Sequence, residues 1–355
     1  MQTSSLAIVG LLAAAAAAVA RAVVVYRKSA PRPRKLKKLS LGVDVGGTCM
    51  KLALVSSEHG FLVDSVAVNL PESKCPADLL DRLVANTTSL LLKRNHVGFS
   101  DLEVVGVCCP GRVTGGNLVS SIANLPNFEN LLLGDLLGER IGRPVFVCND
   151  AKSALMGEVW SGSGMRSDNV CMITLGTGVG AAVWADGRLV RGHTGMFGEA
   201  GHHIVMLNGG LESASTGVRG IAEEYCSAKA IQSLYYSAPC TPPATATTVK
   251  LEAKEILDLA ALGKDEQALK SVSVVADRIA ALVINCCRMY DPEVVVLGGG
   301  LANSKLLVRL VEAAIPGRMW TLAPPSFKLK PASHGNWAGA VGSVNLALRE
   351  GVQPS

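Results

Sequence analysis

The sequence lacks several motifs that mark common enzyme classes. It has no GxxxxGK[ST] loop, which excludes a P-loop nucleotidase, and no HExxH pair of metal ligands. Its GxGxG turn precedes an apolar strand, whereas a dinucleotide-binding GxGxxG turn opens a helix, which argues against a dehydrogenase. None of the ten cysteines forms a CxxC pair and several lie in apolar runs, so we expect buried reduced thiols and a reducing compartment.

Acidic residues are absent from the first 43 residues, which carry eight basic ones. The remainder of the chain therefore has a net charge of −3, although the whole chain has +5. A mildly acidic body argues against nucleic acid as a partner. Hydrophobic residues make up 49% of the chain, which excludes a disordered protein and leaves enough apolar surface for a large core.

The amino-terminal segment is strongly apolar. Residues 6–25, LAIVGLLAAAAAAVARAVVV, carry a single charge, and a helix of this length just spans ~30 Å of hydrocarbon. The basic flank that follows favours the cytosolic side. We therefore expect residues 1–39 to form a hydrophobic anchor helix and a basic tether, with the globular part facing the cytosol from an organelle outer membrane. A cleaved organelle transit peptide is the alternative.

Two stretches, 39–68 and 169–191, share one pattern, in which an apolar strand, a glycine turn and a second strand follow each other. Further strands are predicted at 103–109, 145–148 and 293–297. Helices are predicted at 77–94, 152–160, 218–234, 265–290 and 338–349. Strands that alternate with helices favour α/β layers.

Three glycine turns follow predicted strands and are candidates for phosphate binding. They are GGT at 46–48, preceded by Asp44, LGTGVG at 175–180, and LGGG at 297–300. Backbone N–H groups of such turns can face an anion, and Asp44 could hold hydrated Mg²⁺. A plain tight turn is the alternative in each case.

Carboxylates and an imidazole supply the other candidates. Asp150 ends a strand and opens a helix, where it could accept a proton, although Asp is also a good helix N-cap. Glu199 and His202, in GEAGH, could hydrogen-bond sugar hydroxyls. A solvated turn or a metal site are the alternatives, and the second is weakened because no further ligand spacing is present.

Taken in order, DxGGT, PG, ND, LGTGxG, GExGH and LGGG resemble the ROK family of sugar kinases over about residues 40–350. The resemblance implies an α/β two-domain actin-like ATPase (ribonuclease H-like) fold behind the anchor. We expect a small domain at 40–143 and a large domain at 144–355. The last helix, about 336–349, is expected to pack back towards the small domain.

The resemblance also implies the roles of individual residues. ATP, with Mg²⁺ near Asp44, would be held by Asp44, Gly46, Gly47, Thr48, Gly176, Thr177, Gly178, Gly298, Gly299 and Gly300. The catalytic base would be Asp150. The sugar would contact Gly111, Arg112, Asn124, Asn149, Asp150, Glu199, His202 and Glu223.

The sequence departs from the family at a zinc site. The positions of the three usual cysteine ligands are Ala214, Thr216 and Ile221, so we expect no zinc. The resemblance otherwise implies an ATP-dependent hexose kinase, in the first instance a glucokinase acting on the 6-hydroxyl, and NLPNF at 124–128 favours glucose. Alternatives are N-acetylmannosamine, fructose or mannose as substrate, polyphosphate as donor, and a non-catalytic sugar sensor. A homodimer is possible.

Overall fold

The computed structural model describes residues 38–73, 75–121, 125–237, 250–320, 322 and 324–351. The strands are β1 (Leu39–Val45), β2 (Cys49–Ser56), β3 (Leu62–Asn69), β4 (Leu102–Cys109), β5 (Arg112–Thr114), β6 (Leu118–Ser120), β7 (Leu131–Leu132), β8 (Val145–Asn149), β9 (Val170–Leu175), β10 (Val179–Ala185), β11 (Arg188–Leu189), β12 (Val294–Gly298) and β13 (Lys328–Pro331). The α-helices are α1 (Pro76–Asn86), α2 (Lys93–Asn95), α3 (Leu133–Ile141), α4 (Asp150–Ser161), α5 (Glu223–Cys226), α6 (Ala228–Tyr236), α7 (Ala253–Ala261), α8 (Glu266–Tyr290), α9 (Lys305–Ala314) and α10 (Ala338–Glu350).

Two five-stranded sheets repeat one design. The first has the order β3-β2-β1-β4-β8 and the second has the order β11-β10-β9-β12-β13. In each sheet a three-stranded antiparallel meander is followed by two strands that run parallel to its first strand. The predicted repeat of strand, glycine turn and strand is therefore confirmed, and a small third sheet, β5-β6-β7, is added to the first half.

The central strands β1, β4, β9 and β12 are mostly buried on both faces because helices cover both sides of the sheets. In β1 every residue from Ser40 to Val43 is buried, and Leu41 and Val43 pack in one core with Leu79 and Leu83 of α1. The opposite face of β1 lies against α10, and a Cβ at Gly42 would stand 1.9 Å from the carbonyl oxygen of Ala340. The last helix thus packs on the first sheet, whereas the domain boundaries stay a prediction.

The helices α4 and α10 cross at glycines. A Cβ at Gly342 would lie 1.6 Å from the carbonyl oxygen of Ser153, and one at Gly157 would lie 2.6 Å from that of Ala338. Only glycine permits so close an approach of two backbones. This crossing fixes α4, which begins at Asp150, against α10.

The predicted helix at 218–234 is wrong in its first part. Bridges pair Ile221 with Ile204 and Arg219 with Glu212, so this stretch is a loop, and the helix α5 begins only at Glu223. A break at Ser227, whose backbone is extended, then separates α5 from α6. The predicted helix at 77–94 is confirmed, with a π-helical segment, Thr87–Leu92, inside it.

The prediction of a membrane-anchored protein is wrong. In the part of the chain that the structure describes, no helix combines the length and the apolar character needed to cross a bilayer. The longest described helix, α8, has 25 residues but is amphipathic, with one face in the core of the second sheet. The predicted anchor at residues 6–25, which rested on its apolar length and its basic flank, lies outside the described residues.

Candidate active site

The carboxyl ends of three neighbouring strands bring the first group of predicted residues together. The strand β4 lies between β1 and β8, with Cys108 opposite Asp44 and Cys109 opposite Asn149. Pro110 and Gly111 follow β4 directly, and Asp150 follows β8. Parallel strands that end at one edge of a sheet place their following residues side by side, which is where α/β proteins bind ligands.

The amino end of α4 is capped by Asn149, and this leaves Asp150 free of that task. The Asn149 Oδ1 accepts a hydrogen bond from the Lys152 backbone N–H at 3.1 Å. Its Nδ2 donates to the Gly111 carbonyl at 3.1 Å and to Asp150 Oδ1 at 3.0 Å. The alternative in which Asp150 serves as the cap is therefore excluded. Asn149 uses both amide hydrogens to hold the Gly111 loop against Asp150.

The electrostatics of Asp150 suit proton transfer near neutral pH. Burial, then the charge of Asp44 and, more weakly, that of Glu199, raise the pKa of Asp150 from 3.8 to about 6. A hydrogen bond from the Ala151 backbone N–H to Asp150 Oδ1, at 2.9 Å, acts in the opposite direction. A carboxylate tuned in this way is ionised at pH 7 and still basic enough to accept a proton.

Asp44 forms an ion pair with Lys51 that the sequence motifs did not indicate. Lys51 Nζ lies 2.6 Å from Asp44 Oδ2, and both side chains are mostly buried. Burial lowers the pKa of Lys51, but the charge of Asp44 and the hydrogen bond to it outweigh burial, so the pKa is raised. The signal was available in the hairpin register, because Asp44 and Lys51 are directly paired across β1 and β2. Gly339 of α10 closes the site behind Asp44, since a Cβ there would lie 3.2 Å from its carboxyl carbon.

The second and third glycine turns meet at the edge of the other sheet. The strands β9 and β12 are parallel neighbours, and Gly298 pairs with Thr174. Gly299 has a positive φ of 82°, and a Cβ there would lie 2.3 Å from the carbonyl oxygen of Leu175. By contrast, a Cβ at Gly176 or Gly300 would meet nothing within 4 Å, so both turns leave open space that a phosphate could fill.

Glu223 stands at the second turn. Its Oε2 accepts a hydrogen bond from the Val179 backbone N–H at 2.8 Å, and a Cβ at Gly178 would lie 2.4 Å from the same oxygen. The loop before it contains the positions of the missing cysteines and is closed by backbone hydrogen bonds. Among these are Gly217 N–H to the Ser213 carbonyl and Ala222 N–H to the His203 carbonyl. In the described residues no group of three His, Cys, Asp or Glu side chains could hold a metal ion.

Glu199 and His202 lie on one 3₁₀ turn beyond β11. Glu199 precedes the turn Ala200–His202 and is partly buried, whereas His202 is exposed. The charge of Glu199 acts on the first group, because it contributes to the raised pKa of Asp150. A Cβ at Gly201 would lie 2.0 Å from the Val179 carbonyl oxygen, so this turn rests on the strand that follows the second glycine turn. Asn124 lies outside the described residues.

Comparison with known proteins identifies the family of this chain. The ROK family model matches residues 40–350, so the apolar segment 6–25 is no part of the matched domain. The chain is 33% identical to a glucokinase from Thermotoga maritima over 285 residues, which are 76% of this chain and 84% of the relative. It is 29% identical to an N-acetyl-D-glucosamine kinase from Haemophilus influenzae over 318 residues, 86% of this chain and 98% of the relative.

A solved structure supports the same assignment of the fold. The ROK family glucokinase from Streptomyces griseus, in complex with glucose and AMPPNP, superposes with a TM-score of 0.77 at 28% identity. The match covers 88% of this chain and 99% of that one. The expected α/β fold of the actin-like ATPase type is therefore confirmed.

Proposed function

The chain belongs to the ROK family and is a carbohydrate kinase, and on that premise we propose that it transfers the terminal phosphate of ATP to the 6-hydroxyl of glucose. The observation that carries the proposal is the state of Asp150. Because Asn149 caps α4, the carboxylate of Asp150 does not have to. Asp150 lies beside the Gly111 loop, to which Asn149 is hydrogen-bonded, and its pKa is raised to about 6.

Asp150 would act as the general base. One of its oxygens, Oδ1, is held by Asn149 and by the Ala151 N–H, which fixes the plane of the carboxylate. The other oxygen, Oδ2, takes part in neither of these two hydrogen bonds and would face the sugar hydroxyl. As the hydroxyl oxygen attacks the terminal phosphorus in line, its proton would pass to Asp150, and the bond from that phosphorus to the bridging oxygen of ADP would break, so that ADP leaves. Positioning and charge stabilisation supply most of the rate in such transfers.

The nucleotide would lie along the three glycine turns. The open space at Gly176 and Gly300 fits its phosphates, and the backbone N–H groups there would face them. Asp44 lies near enough to Asp150 for its charge to raise the pKa of Asp150, and Lys51 forms an ion pair with the Asp44 carboxylate. Mg²⁺, bound with the nucleotide near Asp44, would neutralise part of the phosphate charge.

The sugar would be bound by Gly111, Arg112, Asn149, Glu199, His202 and Glu223. Support for glucose comes from two relatives whose names specify it, the Thermotoga glucokinase and the Streptomyces structure with bound glucose. An N-acetylated hexose is the second candidate, because the Haemophilus relative is an N-acetyl-D-glucosamine kinase. Both candidates use the same base and the same nucleotide turns.

The test is an ADP-release assay on the purified protein with Mg·ATP. The sugar panel contains glucose, mannose, fructose, N-acetylglucosamine and N-acetylmannosamine, and polyphosphate replaces ATP in a parallel set. A kcat/KM at least tenfold higher for glucose than for the others is expected. A preference for an N-acetylated hexose would replace glucose by the second candidate. No turnover on any sugar with either donor would contradict the proposed kinase activity.

A further inference from the structure

A cavity lies beside the candidate active site. It has a volume of about 500 Å³ and is bounded by the hairpin after Gly111, the end of β8, the first turn of α4, the loop 191–195 and the end of α10. Arg112 and Asn149 line it, whereas Asp150, Glu199, His202 and Glu223 do not. A cavity of this size can hold a ligand as large as a sugar phosphate.

The lining of this cavity is rich in basic side chains. Arg112, Lys152, Arg191 and His193 all face it, and the one carboxylate among the lining residues, Glu350, forms an ion pair with Arg191. The charges of Arg112 and Lys152 are therefore left without a carboxylate partner inside the cavity. Arg191 and His193 are exposed, whereas Lys152 is buried.

Lys152 is the side chain that most needs a ligand. It is only 4% exposed, and its ammonium makes no hydrogen bond or ion pair with any described residue. It also lies in the first turn of α4, where the helix dipole disfavours a positive charge. A buried and unpaired ammonium is costly, so a protein that keeps one usually provides it with an anion.

The surrounding charges compensate Lys152 only in part. Burial lowers its pKa, Glu199 and Asp150 raise it, and Arg191 adds to the lowering. The Nε of Arg112 is buried and has no hydrogen-bond partner among the described residues. A buried lysine and a half-buried arginine whose Nε is unpaired therefore border one space.

We propose that this cavity binds a phosphomonoester, whose dianionic phosphate is held by Lys152 and Arg112. A phosphate supplies several acceptor oxygens and up to two negative charges, which matches two unpaired cationic donors. Such a ligand is either the hexose phosphate that the enzyme forms or free inorganic phosphate. The first source rests on the proposed function and the second does not. Arg112 and Asn149 line this cavity and also belong to the proposed sugar site. A phosphate bound in the cavity would therefore contact two residues that the sugar also uses.

Calorimetric titration of the full-length protein tests this proposal without any turnover. The ligands are inorganic phosphate and glucose 6-phosphate, with chloride at equal ionic strength as the blank and without nucleotide. The variants are Lys152→Met, which keeps the length of the side chain, Lys152→Arg, which keeps its charge, and Lys264→Met, which removes an exposed lysine that does not line the cavity. A thermal melt of each variant checks that it is folded.

We expect millimolar or tighter binding of at least one ligand to the wild-type protein. The Lys152→Met variant should weaken it at least tenfold, the Lys152→Arg variant less than threefold, and the Lys264→Met variant not at all. Binding of glucose 6-phosphate alone would assign the hexose phosphate as the source, and binding of both with similar strength would assign the phosphate group itself. The proposal is overturned if neither ligand binds at tens of millimolar, or if the folded Lys152→Met variant binds as tightly as the wild type.

Discussion

The two glycine turns of the repeated sheets share a backbone design but obtain their carboxylates differently. At the first turn, Asp44 comes from the strand that enters the turn and Lys51 from the strand that leaves it. At the second turn the carboxylate belongs to Glu223, which is 44 residues beyond Val179, to which it is hydrogen-bonded. The chemistry of the first turn is thus local in sequence, whereas that of the second depends on the fold of the loop before α5.

Asp150 lies at the same edge of the first sheet as Asp44, and its replacement should have the largest effect on turnover. The variant Asp150→Asn keeps an oxygen for the hydrogen bonds from Asn149 and Ala151 but cannot accept the proton. We expect kcat to fall by about 10²- to 10⁴-fold while glucose binding changes little. Single-turnover rates and equilibrium binding of glucose measure the two effects. The exposed Asp258→Asn is the control, and retained turnover would remove Asp150 from the role of base.

The same substitution should stabilise the fold at neutral pH. A folded pKa of about 6 against 3.8 means that the native state binds the proton more tightly than the unfolded chain. The stability that Asp150 contributes to the folded state is fully present below pH 3.8 and is lost as the pH rises through 6. At about 1.4 kcal/mol per pKa unit, the loss in the free energy of unfolding is about 3 kcal/mol at most. Thermal melts of Asp150→Asn should therefore exceed the wild type at pH 8 and match it at pH 4. A lower melting temperature at pH 8 would contradict the raised pKa.

Two glycines of the second turn offer a matched pair. In Gly178→Ala the new methyl group would collide with the Glu223 carboxylate, so we expect kcat/KM for the sugar to fall about 10- to 100-fold. In Gly176→Ala the methyl group has open space in the protein but stands where the phosphates are proposed to lie. This second variant should keep its melting temperature and raise the KM for ATP. Equal effects of both variants on the sugar and on ATP would mean that the turn does not separate the two ligands.

The ion pair of the first turn should have a smaller effect. In Lys51→Met the charge of Asp44 loses its partner and raises the pKa of Asp150 further. The acid limb of the pH profile should then move upward by less than about one pH unit, with the Lys264→Met variant as control. A downward shift would show that Lys51 acts on Asp150 by some other route.

The last prediction concerns the zinc content of the protein, which we expect to be close to zero. The loop around Ala214, Thr216 and Ile221 is held by backbone hydrogen bonds, and Ile221 is a core residue. Elemental analysis of the purified protein should find zinc well below one atom per chain. Stoichiometric zinc would mean that ligands other than the missing cysteines bind it.

Much of the fold was predictable because its signals are local. Apolar strands, glycine turns and the motif order gave both sheets, and helical spacing gave α8 and α10 nearly to the residue. The helix predicted at 218–234 failed because pairing of Ile221 with Ile204, a contact between distant residues, outweighs the local helical pattern.

In the site, the position of Asp150 was predictable but its freedom from capping was not. Asn149 is oriented as the cap by its hydrogen bond to the carbonyl of Gly111, which follows a different strand, β4. A contact between distant parts of the chain cannot be read from the local sequence. Lys152 was missed because nothing in the sequence marks a lysine as buried. Its burial follows from the crossing of α4 and α10 and from the loop 191–195.

The pH dependence of kcat/KM for glucose tests the central claim most directly. If Asp150 is the base and its pKa is held near 6 by burial and Asp44, kcat/KM should be constant from pH 7 to 8 and fall tenfold per pH unit below about pH 6. A profile that stays flat down to pH 4.5 would contradict this account, because a carboxylate with an ordinary pKa, or no carboxylate at all, would then accept the proton.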